Sequence, residues 1–146
     1  MIEVDDRVGC GADVGALQAA VAGVLAAEGA GACEVGIVLL DEHEMRAINR
    51  EHRGRDEPTD VLAFPIDEDE GLAGVTRMLG DVVVCVPVLE AQADEAGVGA
   101  GAELLDLVVH GTLHLLGYDH ETDQGEMLAR QDALVGGFDP IPYPSA

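Results

Sequence analysis

One helix constrains this chain more than any other feature. Residues 102–116 are apolar on almost every side, a pattern that suits a helix only when it is buried among other elements. Such a helix takes the centre of a fold, and the remaining elements must pack around it. It nevertheless carries polar exceptions. His110 and His114 are four residues apart, so they share one face, one turn apart. Gly117 stands where a glycine can turn the chain back in the left-handed conformation, and His120 follows it.

The run His110-Gly-Thr-Leu-His114-Leu-Leu-Gly117-Tyr-Asp-His120 therefore suits a facial set of three imidazoles. Three neutral imidazoles with one coordination position left open is how catalytic zinc sites are built. The plainer reading is three unrelated surface histidines, and the spacing with its glycine break weighs against it. Zinc is the ion expected at an all-imidazole site, with nickel or copper able to occupy it in vitro. Glu103 and Asp106 extend the polar stripe along the helix. Asp106 either orients a ligand imidazole or makes an ordinary buried hydrogen bond. Asp119 either supports the site in the same way or serves only as a turn residue.

The spacing His-x-x-x-His-x-x-Gly-x-x-His is also that of metzincin proteases, which place a general-base Glu directly after the first histidine. Gly111 occupies that place and cannot take a proton. Peptide hydrolysis by that route is disfavoured.

The other elements follow from periodicity and punctuation. Residues 2–8 read as a first strand, and Val14, Leu17, Val21, Val24 and Leu25 recur at helical spacing behind an Asp13 cap. Val35–Leu40 is an apolar run of strand length. Asp41 caps a helix ending near Arg50, with Met45 and Ile48 inward. A short strand covers 61–64, a solvent loop 66–74, and a β-branched strand 82–86. Pro87 opens a helix to about Ala96. A last helix runs from about Asp123 to Val135, with Asp123 and Glu126 spaced as a capping box. Residues 136–146 read as an extended tail. The expectation is a single α/β (α+β) domain over 1–146, with a mixed sheet of about four strands covered by helices and the metal site on the central one.

Charge narrows the partners. The 146 residues carry 29 acidic and 7 basic side chains, a formal net charge of −22, and the basic residues are all Arg. That balance argues against broad electrostatic binding of nucleic acid. A local patch is the remaining route, and Arg46, Arg50, Arg53 and Arg55 cluster within ten residues. The three cysteines (10, 33 and 85) are scattered and lack a C-x-x-C, so reduced thiols are expected. The acidic start, Met1–Asp6, lacks a signal-peptide pattern, and no stretch suits a membrane span, so a cytoplasmic protein is expected.

Three blocks of this sequence resemble the YbeY family of bacterial endoribonucleases and rRNA maturation factors. The first is the histidine run above. The second is Asn49-Arg-Glu-His-Arg53-Gly-Arg-Asp-Glu-Pro58-Thr59-Asp60-Val61-Leu62-Ala63-Phe64-Pro65, and the third is Leu79-Gly80-Asp81-Val82-Val83-Val84. The resemblance implies a small α/β fold with a four-stranded sheet and one zinc ion on His110, His114 and His120. It implies an active-site arginine at Arg53. It further implies cleavage of single-stranded RNA in maturation of the 16S rRNA 3′ end and in ribosome quality control, with a small-subunit ribosomal protein and an Era-type GTPase as partners.

Arg53 offers a rigid fork of donors for a phosphate. The alternative is a surface ion pair with Asp56, Glu57 or Asp60. For the general acid or base, Asp60, Asp106, Tyr118 and Asp119 all stand open. The chain departs from the family in its acidity, in Arg55 where a lysine is usual, and in His52 where a tyrosine is common. A non-catalytic ribosome assembly factor with structural zinc, or a metal peptidase, is the competing reading.

Overall fold

The computed structural model describes residues 1–66, 77–119 and 121–144. Four strands form one sheet in the order β1-β2-β4-β3. They are β1 (Ile2–Asp6), β2 (Cys33–Leu40), β3 (Val61–Pro65) and β4 (Arg77–Cys85). β1 and β2 pair in parallel, as do β2 and β4, while β3 runs antiparallel to β4 at the edge. The helices are α1 (Val14–Ala27), α2 (Glu42–Arg53), α3 (Val86–Ala96), α4 (Ala100–Leu115) and α5 (Glu126–Val135). This is the mixed α/β architecture expected from the sequence.

Alternation along the strands sorts the core into two layers. Val35, Ile37 and Leu39 of β2, with Val82 and Val84 of β4, face the larger cluster beneath α1 and α4. Leu40, Val83 and Cys85 face the opposite way, onto Met45 of α2 and Leu62 of β3. α4 is the central helix: ten of its residues are buried, including Leu104, Leu105, Val108, Val109 and Leu113. Met127 and Leu134 of α5 are core residues too. The cysteines are free thiols, with Cys33 and Cys85 buried.

Several boundaries differ from the sequence expectation. β1 stops at Asp6, whose carboxylate gathers the backbone N–H groups of Val8, Gly9, Cys10 and Gly11 into a turn. β4 begins at Arg77 rather than near residue 82. Its first half reads poorly because it holds an irregularity: the register shifts as β2 passes from Glu34 to Val35, and Gly80 has φ +136°. A Cβ there would lie 2.1 Å from the Phe64 carbonyl oxygen, so only glycine allows β3 to close against β4. Val86 belongs to α3 and not to the strand. α2 continues to Arg53 because its stop is the left-handed Gly54. α4 starts at Ala100, in a Gly-rich stretch that reads as a break. There Gly101 lies so close to Ile141 that a Cβ would meet its carbonyl oxygen.

The capping box is also corrected. Gly125, not Asp123, is the N-cap of α5. The Asp123 carboxylate still accepts from the N–H groups of Gly125 and Met127, so it satisfies the helix start from two residues upstream. The expected 66–74 loop lies almost wholly outside the described residues. Among the described residues, no helix is long and apolar enough to cross a membrane.

Candidate functional site

A cleft of about 800 Å³ runs along the polar stripe of α4. Glu103, Asp106, His110 and His114 all open into it. The other side is edge strand β3 with His52 and Arg53 at the end of α2, and Asp119, Glu121 and Gln131 complete the rim. Residues from three separated stretches of sequence therefore meet in one groove.

His110 and His114 stand edge to face, with ring centroids 4.7 Å apart at 76°. Their i,i+4 spacing on a continuous helix produces this pairing. Nδ1 of His110 is 2.8 Å from Oε1 of Gln131, and Nε2 of Gln131 donates to Oδ1 of Asp106 at 2.8 Å. Gln131 is buried, so both ends of its amide require partners, and they have them. Asp106 is thus hydrogen-bonded within the site, and its link to the histidine passes through Gln131. Sequence reading missed Gln131. The available signal was a polar residue four positions after Met127 and three before Leu134, on the inward face of α5. His120 lies outside the described residues. Two neighbouring imidazoles in a polar cleft, one of them oriented by an amide, are a donor set that suits a divalent cation such as zinc.

Arg53 is exposed and lines the cleft. The ion pairs that competed for it go elsewhere. Asp56 binds Arg46 through both carboxylate oxygens, at 2.8 and 3.0 Å. Glu57 lies nearest Arg55, at 3.9 Å. Asp60 accepts from the Val61 N–H at 2.7 Å. Among the described residues Arg53 makes no ion pair. The four-arginine patch therefore narrows, since Arg46 is neutralised and Arg53 is the member that faces the groove. His52 packs edge-on against Phe64, centroids 4.9 Å apart, and continues the cleft wall beside it.

Carboxylates line the rest. Partial burial, then the charges of Asp106 and Asp60, push the Glu103 carboxyl above the ordinary range. Asp119 opens into the cleft and also shapes the turn: its side chain accepts from Glu121 N–H and its carbonyl from Thr122 and Asp123 N–H. Tyr118 leaves the candidate list for acid or base. Its hydroxyl donates to Glu28 at 3.1 Å, outside the cleft, where Glu28 also binds Arg130. Burial, followed by that bond, raises its phenol further.

Gly111 settles against Val82 of β4, with a built Cβ only 2.5 Å from Cγ1 of Val82. A Glu side chain at this position has no room on that side, so the protease arrangement is closed off sterically as well as chemically.

These features define a small α/β protein with a histidine-bearing cleft along its buried central helix. The family model for endoribonuclease YbeY matches residues 13–139, and the chain belongs to that family. It is 53% identical over 108 residues to the endoribonuclease YbeY of Sulfurihydrogenibium sp. (strain YO3AOP1), covering 74% of this chain and 70% of that one. It is 46% identical over 130 residues to that of Moorella thermoacetica, covering 83% and 81%. With that of Halorhodospira halophila the figures are 42% over 130 residues, 88% and 84%. Among solved structures, the solution structure of TM1509 from Thermotoga maritima superposes with a TM-score of 0.66 at 33% identity, covering 92% of this chain and 87% of that one.

Proposed function

We propose that this protein is an endoribonuclease of rRNA maturation that cuts single-stranded RNA in the α4 cleft, with a zinc ion held by His110, His114 and His120. The observation that carries the reading is the convergence of the paired imidazoles, Arg53 and the polar stripe in one open groove, in a chain of the YbeY family. Processing of the 16S rRNA 3′ end, contact with the small ribosomal subunit and one of its proteins, an Era-type GTPase partner and a cytoplasmic location belong to the same proposal.

Bound at the histidines, zinc supplies Lewis acidity and a lowered pKa for water at neutral pH. The chain's own residues do the rest. Arg53 grips the scissile phosphate with its planar fork of donors and offsets the charge that builds on the phosphoryl oxygens. It can do so because no carboxylate among the described residues holds its guanidinium. The carboxylates of Asp60, Asp106 and Asp119 line the same groove and repel backbone phosphates, so the attraction that seats the scissile phosphate comes from Arg53 and from a cation held at the histidines. His52, stacked edge-on with Phe64, presents a flat ring to an unpaired base.

The test is cleavage of a labelled single-stranded RNA and of its duplex by purified protein, before and after chelation and zinc return. The reading expects cleavage of the single strand, loss on chelation and recovery with zinc. Cleavage that survives complete metal removal would refute it.

A further inference from the structure

The buried amide of Gln131 lies between an acceptor-only group and an imidazole, and this fixes more than its own orientation. Asp106 is a carboxylate, so the Gln131 atom facing it at 2.8 Å must be the NH2. Oε1 then faces His110, also at 2.8 Å, and an oxygen there can only accept. The proton of a neutral His110 therefore belongs on Nδ1, and its lone pair on Nε2. Which ring nitrogen of a histidine is available for a metal is set by the hydrogen bond made by the other one.

The fold holds this arrangement firmly. Asp106 and His110 are one turn apart on α4, so they share a face. Gln131 comes from α5, whose inward face also carries the fully buried Met127. The amide has both partners and little room to rotate. Were it reversed, its NH2 would face His110 and its oxygen would confront the Asp106 carboxylate.

We propose that Gln131, held by Asp106, is a positioning residue that locks His110 in its Nδ1–H tautomer and so presents Nε2 as a ligand atom. The inference rests on the metal reading of the cleft given above. It assigns Asp106 an indirect role, orienting the amide and not the imidazole itself. It also explains why a polar side chain occupies a core position of α5 where a leucine would pack.

The experiment uses the full chain in three forms: wild type, Gln131→Leu and Gln131→Glu. Long-range proton–nitrogen correlation spectra of the metal-free protein report the tautomer of His110, and competition with a coloured chelator reports zinc affinity. Wild type should show a single Nδ1–H tautomer. Gln131→Leu, whose side chain suits the buried site, should lose that signature and bind zinc about 10- to 100-fold more weakly. Gln131→Glu keeps an acceptor toward His110 and can share a proton with Asp106, so it should restore both the tautomer and most of the affinity. An Nε2–H tautomer in the wild type, or zinc binding by Gln131→Leu equal to wild type, would overturn the proposal. Failure of the wild type to take up zinc, with the tautomer as expected, would instead overturn the metal site, and the inference would fall with it.

Discussion

Gly111 lies flush against Val82: a methyl group added at the glycine would come within 2.5 Å of Cγ1 and 3.0 Å of Cγ2 of the valine. The contact joins the histidine helix directly to β4, one of the two inner strands of the sheet. Gly111→Ala should lift α4 from the sheet and cost about 1–3 kcal/mol of stability, the usual penalty for overpacking. Urea unfolding measures it. A Val82→Ala change in the same chain should recover part of the loss, because it removes both clashing methyls.

Glu103 gives the cleft a pH signature in stability. Burial and the charges of Asp106 and Asp60 raise its folded-state pKa, so the folded chain holds this proton more tightly than the unfolded chain does. Stability from this group is present below the ordinary Glu pKa of about 4.3 and declines as the pH rises through the higher folded value. At neutral pH the ionised side chain is a burden. Glu103→Gln should raise the melting temperature at pH 7 by about 1–3 °C, a modest gain because solvent screens a half-exposed group. The gain should vanish near pH 4. Thermal melts of both proteins across pH 4–8 check this.

The charge of −22 makes an unusual prediction for RNA. Most nucleic-acid-binding proteins lose affinity as salt rises, because they release counterions from phosphates. On the proposed reading, long-range repulsion dominates here and the arginine contact to phosphate narrows to Arg53. Raising ionic strength from 0.01 to 0.15 M shortens the screening length from about 30 to about 8 Å. The association rate with a short single-stranded RNA should therefore rise over this range, and stopped-flow mixing at several salt concentrations would read it.

Much of this is legible in the sequence itself. α4 could be read because a nearly all-apolar helix has few places to go. Its histidine stripe follows from the 3.6-residue period, and the cleft bears out the shared face of Glu103, Asp106, His110 and His114. The parts that were not legible share a physical cause. Gly80 looks like a strand breaker, yet the irregularity it permits lets β4 run nine residues. Arg46 and Arg53 look alike in sequence, and only tertiary contact shows that Asp56 holds the first and leaves the second facing the groove. Gln131 falls on the inward face of α5 by its spacing from Met127 and Leu134, but its role is hidden because its partners lie 21 and 25 positions away.

The central claim separates two kinds of residue in one cleft: histidines that hold a metal, and an arginine that acts on the phosphate. The most direct test measures bound zinc and single-stranded RNA cleavage together in wild type, His114→Ala and Arg53→Ala. His114→Ala should lose zinc and cleavage in parallel. Arg53→Ala should retain zinc at the wild-type level and lose cleavage by about 100-fold or more. An Arg53→Ala protein that cleaves at the wild-type rate, or a His114→Ala protein that cleaves without zinc, would contradict the account.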